Sequence, residues 1–240
     1  MADYTIRPYR AGDEERILET FNLVFREVCG EGYRDRDLAH WQWEFARNPQ
    51  GMRIILAVTP GGQVAAQYAA VPMAAHTPMG RSSFVHAVDS MVHPDFRRGL
   101  KKPGLFVETG RAWFEHIAGL GIDSVGFGYP VRPAWRIGNR FLGYSLVRII
   151  DYLVADREQL PDRPAGAKGV AVESWERCPA GETDALWEEW ARSCECAVIR
   201  DSRYLNWRYA ECPALDYPIL AARREGRLVG GRAETHRRRG

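Results

Sequence analysis

The chain has 240 residues, 45% of them apolar, and a formal net charge of +2 at pH 7. That length and apolar content suit an ordinary globular core, and the near balance of charge leaves any nucleic-acid or membrane role to local clusters alone. An odd number of cysteines, a start without an apolar leader and no run approaching the roughly 20 apolar residues of a membrane span point to a cytoplasmic protein with no membrane partner.

In chain order, residues 4–8 alternate as a short strand, and Asp13, Glu14 and Glu15 supply the acidic opening turn of a helix through Ile17, Phe21, Val24 and Phe25. Residues 53–58, the turn Pro60-Gly61-Gly62 and residues 63–71 read as a hairpin, and residues 83–92 as another strand. Residues 106–117 have helical spacing, 123–127 read as a buried strand, 134–141 as a helix ending at Gly143, and 146–154 as a closing strand. Residues 157–169, with Pro161, Pro164, Gly166 and Gly169, read as a linker.

Beyond the strand at 83–92 the sequence turns basic and glycine-punctuated, from Arg97 and Arg98 through Gly99, Leu100, Lys101 and Lys102 to Pro103 and Gly104, with a helix following. Glycines let the backbone turn tightly, the opening amides of a helix lack intrahelical partners, and the helix dipole favours negative charge. The segment therefore reads as an anion cradle whose guest is the phosphate of a nucleotide-type cofactor; a solvated basic turn is the plainer alternative. Aromatic residues are not interleaved with these cations, which argues against nucleic acid as the partner. Cys194 and Cys196 lack zinc-site spacing and the histidines never recur three or four apart, so no metal is expected.

The chain also repeats itself. Laid at an offset of 164, Arg36-Asp37 meets Arg200-Asp201, Trp43 meets Trp207 and Phe45 meets Tyr209, and the register holds through Pro49/Pro213, Ile55-Leu56-Ala57/Ile219-Leu220-Ala221 and Gly62/Gly226. Two copies of one unit are the natural reading, the second ending before any counterpart of the basic turn.

The order strand, helix, hairpin, strand, cradle, helix, strand, helix, strand resembles the GNAT family of acyl-coenzyme A dependent acyltransferases. Val92-His93-Pro94-Asp95-Phe96-Arg97-Arg98-Gly99 is similar to that family's Val-x-Pro-x-x-Arg-Gly-x-Gly signature, and Gly126 to Pro130 with Asn139-Arg140-Phe141-Leu142-Gly143-Tyr144 is similar to its fifth strand and following helix. The resemblance implies an α/β fold of the α+β kind, with a mixed, mostly antiparallel central sheet flanked by helices and a partial second repeat. It divides the chain into an acyl-CoA-binding catalytic domain at 1–156, the linker at 157–169 and an incomplete second module at 170–240. The implied activity is N-acetyl transfer from acetyl-CoA, or another acyl-CoA, to the primary amine of a small molecule such as an amino sugar. The alternative is a degenerate module that binds coenzyme A without turnover.

By the same resemblance, backbone groups of Met91 and Val92 meet the pantetheine arm, while Arg97, Arg98, Gly99, Leu100, Lys101 and Gly104 hold the pyrophosphate. Asn139 stands where the family's tyrosine acid falls; an amide cannot serve as that acid, so Tyr129, at the end of the fifth strand, becomes the candidate proton donor and Asn139 is placed with the cofactor-binding residues. Asp89, on the strand beside the thioester, is the candidate base, and a hydrogen-bonded structural aspartate is the competing reading. His86 competes only if a bulge brings it onto the same face. His40 and Trp41 are candidates for the acceptor wall, whereas the recurrence of Trp43 as Trp207 reads as core. An unfinished second module leaves a sheet edge in need of cover, for which pairing with another subunit is the expectation.

Overall fold

The structure is a computed structural model describing residues 3–97, 103–151 and 169–234. The first strand, β1 (Thr5–Pro8), is followed by α1 (Glu14–Cys29), whose acidic first turn favours the helix dipole. Asp13, just ahead of α1, receives two hydrogen bonds from Arg7 at 2.7 and 2.8 Å, which ties the helix start to β1. The apolar stripe Ile17, Leu18, Phe21 and Val24 is buried, and α1 ends at Gly30, where φ is 67°.

Strands β2 (Arg53–Val58), β3 (Val64–Thr77) and β4 (Gly80–Val92) run antiparallel, and β5 (Asp123–Gly128) joins β4 in parallel, giving the order β1-β2-β3-β4-β5. The parallel crossover is made by α3 (Leu105–Leu120), which ends at a left-handed Gly121. Between α1 and β2 lie the single turn α2 (Leu38–Trp41) and a π-helical turn, Gln42–Ala46.

The two faces of the sheet separate cleanly along β2. Ile54 and Leu56 face α1 with Trp41, Trp43 and Phe45, whereas Ile55 faces α3 with Tyr68, Val85 and Trp113. Each fully buried side chain of this size contributes about 1.5–3 kcal/mol, so these two clusters hold α1 and α3 to opposite faces. The expected sheet flanked by helices is the architecture observed.

Two expected features are corrected. Residues 123–127 form a strand that is mostly exposed, because β5 is the outer strand among the described residues. Residues 146–151 form no strand, and 152–154 lie outside the described residues. After α4 (Arg132–Phe141) the chain turns at Gly143, φ 73°, and the Tyr144 hydroxyl bonds that of Tyr68. The ring of Tyr144 fills the space a side chain at Gly138 would need, so the chain is anchored to the α3-side cluster, and residues 146–151 beyond it pair with no strand among the described residues.

The later residues form β6 (Val170–Trp175), α5 (Ala180–Ala191), β7 (Ala197–Val198), α6 (Ser202–Leu205), a second π-helical turn Asn206–Ala210, β8 (Ile219–Arg224) and β9 (Arg227–Ala233). β6, β8 and β9 make a separate antiparallel sheet, while β7 pairs with the far end of β3. At the offset of 164, α2 coincides with α6 and one π-helical turn with the other. Asp37 caps His40 N as Asp201 caps Tyr204 N, both at 2.8 Å. The two turns lie against each other: Trp43 Nε1 donates to Trp207 O at 2.6 Å and Trp207 Nε1 to Trp43 O at 2.8 Å, with the rings stacked 5.7 Å apart. Among the described residues no helix is long and apolar enough to cross a membrane.

Candidate functional site

Pairing between β4 and β5 ends at Ala87 opposite Gly128. β4 continues to Val92, but β5 stops and the chain leaves through Tyr129 and Pro130, so two parallel strands part at their carboxyl ends and leave one edge of residues 88–92 without a strand partner among the described residues. Met91 is buried at this opening. Beyond it, α3 begins at Gly104, whose carbonyl accepts from the amides of both Val107 and Glu108, so the amides of Leu105 and Phe106 lie ahead of the helical ladder. Leu105 and Val107 are buried and fix that helix end.

A bulge, the condition on which His86 would compete with Asp89, is present in β4. Ala69 pairs with Val88 and Gln67 with Met91, so β4 holds one extra residue, and Asp89 takes a left-handed backbone, φ 53°, that costs a non-glycine residue about 1–3 kcal/mol. Alternation puts His86 on the face of Val88, toward α1. Asp89 reaches the same side, because it is ion-paired to Arg36, whose guanidinium lies 4.1 Å from the Phe21 ring centroid.

Arg36 serves two carboxyls, with Glu44 Oε2 3.1 Å from its Nη1. Glu44 projects from the first π-helical turn, and its Oε2 is also 3.8 Å from His40 Nε2, yet this buried oxygen accepts no well-directed hydrogen bond among the described residues. The same holds for Oε1 of the fully buried Gln67, whose Nε2 donates to Asp89 O at 3.0 Å. Burial, with the Asp89 charge adding to it, pushes the Glu44 carboxyl up to about 7, against the pull of the Arg36 and Arg208 cations. Burial also raises Asp89, opposed by Arg36. His40 and His86 are lowered by burial, and next by Arg36 for His40 and by Arg208 for His86. Arg208 comes from the second π-helical turn and lies 5.3 Å from the Trp43 ring centroid.

The residues singled out from the sequence are dispersed. Met91, Val92 and Gly104 flank the strand opening and the helix start. Arg97 is committed elsewhere: its Nε donates to Val92 O at 3.0 Å and its Nη1 to Glu27 at 2.8 Å, which also occupies the Val92 carbonyl expected to meet the cofactor arm. Arg98, Gly99, Leu100 and Lys101 lie outside the described residues. Asn139 is exposed and donates to Tyr144 O at 2.8 Å, which fastens the end of α4. Tyr129 is 66% exposed and meets the His86 ring edge-on at 5.4 Å, while His86 stacks on Phe127 at 4.9 Å. Trp41 is core, and His40 borders the carboxyl cluster.

Glu44 and Gln67 went unmarked in the sequence reading. One signal was present: at the offset of 164, Glu44 stands opposite Arg208 beside the matching Trp43 and Trp207, a reversal of charge within an otherwise matched stretch.

The chain superposes on a protein from Enterococcus faecalis V583 named as a probable N-acyltransferase, with a TM-score of 0.62, 10% identity and coverage of 96% of this chain. The fold is GNAT-like. This chain spans only 55% of that protein's length. Trypanosoma brucei acetyltransferase and Arabidopsis thaliana glucosamine-6-phosphate N-acetyltransferase are similar over 64% of the chain, with TM-scores of 0.48 and identities of 16% and 13%. No family model matches the sequence, and no curated protein does.

Proposed function

We propose that this protein transfers an acyl group, acetyl in the first instance, from acyl-coenzyme A to the primary amine of a small molecule. The observation that carries the reading is the parting of β4 and β5 after Ala87 and Gly128, which leaves a strand edge to hydrogen-bond an extended thiol arm and leads to the amides that lie ahead of the helical ladder at the start of α3. The acyl-coenzyme A is a co-substrate. Met91 and Gly104, with the segment 98–101, would hold it, and the developing oxyanion would be met by a neighbouring backbone N–H.

The acceptor enters on the α1 side, where Asp89, Glu44, His40 and His86 gather. Its nitrogen attacks the thioester carbonyl carbon, the C–S bond breaks, and one amine proton passes to the carboxyl pair around Arg36. Asp89, the base expected from the sequence, thus acts as half of a pair. Tyr129 hands its hydroxyl proton to the departing thiolate and regains one from solvent, to which it is open. The residues from 170 on are read as a second, GNAT-like module, on the strength of the repeat at an offset of 164.

Isothermal titration with coenzyme A, followed by a thiol-release assay with acetyl-CoA and a panel of amines, tests the reading. Saturable binding and amine-dependent thiol release are expected. Failure to bind coenzyme A at millimolar concentration removes the proposal, and binding without release makes the protein a coenzyme A-binding module.

A further inference from the structure

The carboxyl cluster draws on both halves of the chain. Glu44 and Arg208 occupy corresponding places on two π-helical turns, and the reciprocal Trp43–Trp207 hydrogen bonds fix one turn against the other. A π-helical turn widens the helix by one residue, here through Arg47 N to Gln42 O at 2.7 Å and Glu211 N to Asn206 O at 2.9 Å, and such turns recur at functional sites. Glu44 is faced by Arg36 from the segment before α2, His40 from α2, Asp89 from the β4 bulge and Arg208 from the second turn. Of the two carboxyls, Asp89 holds the hydrogen-bonded pair with Arg36, whereas Glu44 keeps a buried oxygen with no well-directed donor. That oxygen can accept from an incoming N–H. Gln67 Oε1 is a second such acceptor, next to Asp89.

We propose that Glu44 takes the proton released by the acceptor amine and that Arg208, delivered by the second half across the tryptophan pair, is the positioning residue that sets how readily Glu44 does so. The inference rests on the acyl-transfer reading. Proton transfer balances within the step: the N–H bond breaks as the N–C bond forms, and the proton resides on Glu44 Oε2 until product leaves. Asp89 and Arg36 remain paired throughout and supply the fixed charge against which Glu44 titrates. The second half then works as part of the first half's site.

The test is a pH–rate profile for acetyl transfer to ethanolamine, tyramine, spermidine and glucosamine, measured on the full chain and on Glu44→Gln, Asp89→Asn, Arg208→Gln and Arg208→Lys. Coenzyme A affinity is measured alongside as the check on folding. Expected are an acid limb near 7, a fall in kcat of roughly 10²- to 10⁴-fold with unchanged coenzyme A affinity in Glu44→Gln, and a limb moved to higher pH in Arg208→Gln and returned by Arg208→Lys. Turnover by Glu44→Gln within twofold of the parent overturns the role of Glu44. An Arg208→Gln rate loss with an unmoved limb makes Arg208 merely structural and overturns its part. Absence of coenzyme A binding, or binding with no amine acylated, overturns the transfer reading and this inference with it.

Discussion

Replacing Glu44 with glutamine keeps the shape of the side chain and removes its proton chemistry, so its effect on stability should depend on pH in one direction. Burial, aided by the Asp89 charge, holds the Glu44 carboxyl at about 7 against an ordinary 4.5. Because the folded state binds this proton more tightly than the unfolded chain, the stability it provides is complete below 4.5 and is lost as pH rises through 7. At about 1.4 kcal/mol per pH unit, the parent protein loses roughly 3 kcal/mol through this group across that window. Asp89 is shifted in the same sense and adds to the decline. Glu44→Gln should therefore match the parent at about pH 4.5 and exceed it in stability at about pH 8, with a flatter profile between. Urea unfolding followed by tryptophan fluorescence across that range measures the difference. Parallel profiles for parent and variant, or a variant that loses stability relative to the parent as pH rises, would refute the reasoning.

Trp43→Phe and Trp207→Phe each remove an indole N–H from a buried carbonyl, and each should cost about 1–3 kcal/mol with clear coupling in a double-mutant cycle. Small, additive losses in urea unfolding would show that the two turns are not locked together. Asp123→Asn strands the guanidinium of Arg53, which reaches Asp123 at 2.6 and 3.0 Å with a side chain only 7% exposed. A loss of about 3–5 kcal/mol is expected, less when Arg53→Met accompanies it, and a parent-like melting temperature for the single variant would count against the buried pair as described.

Elements whose side-chain period and end signals agree were legible from the sequence. The acidic start of α1, the glycine turn between β2 and β3, and Gly121 after α3 each have a local physical cause, and each element lies where expected. The single turn α2 and its π-helical extension were not legible, since an i to i+5 turn has no periodic signature and only the repeat marked the stretch. The bulge at Asp89 was also hidden, because an extra residue in one strand shows only when its partner strand is in register. The candidate site follows the same rule. Asp89 could be picked out as a carboxylate on a strand, whereas Glu44 matters through Arg36 and Arg208, which are near it only in the fold. For Arg97 the charge suggested an anion, and in the fold it meets the Glu27 carboxylate, 70 residues away in sequence.

The exchange of indole hydrogen bonds between Trp43 and Trp207 bears on how this protein can be handled. A fragment cut between the two tryptophans would bare two large aromatic surfaces, each with a polar N–H facing no acceptor and a carbonyl facing no donor. Expression of either half by itself therefore invites clumping, and useful truncations must spare both tryptophans, whatever the apparent boundary in the primary structure suggests.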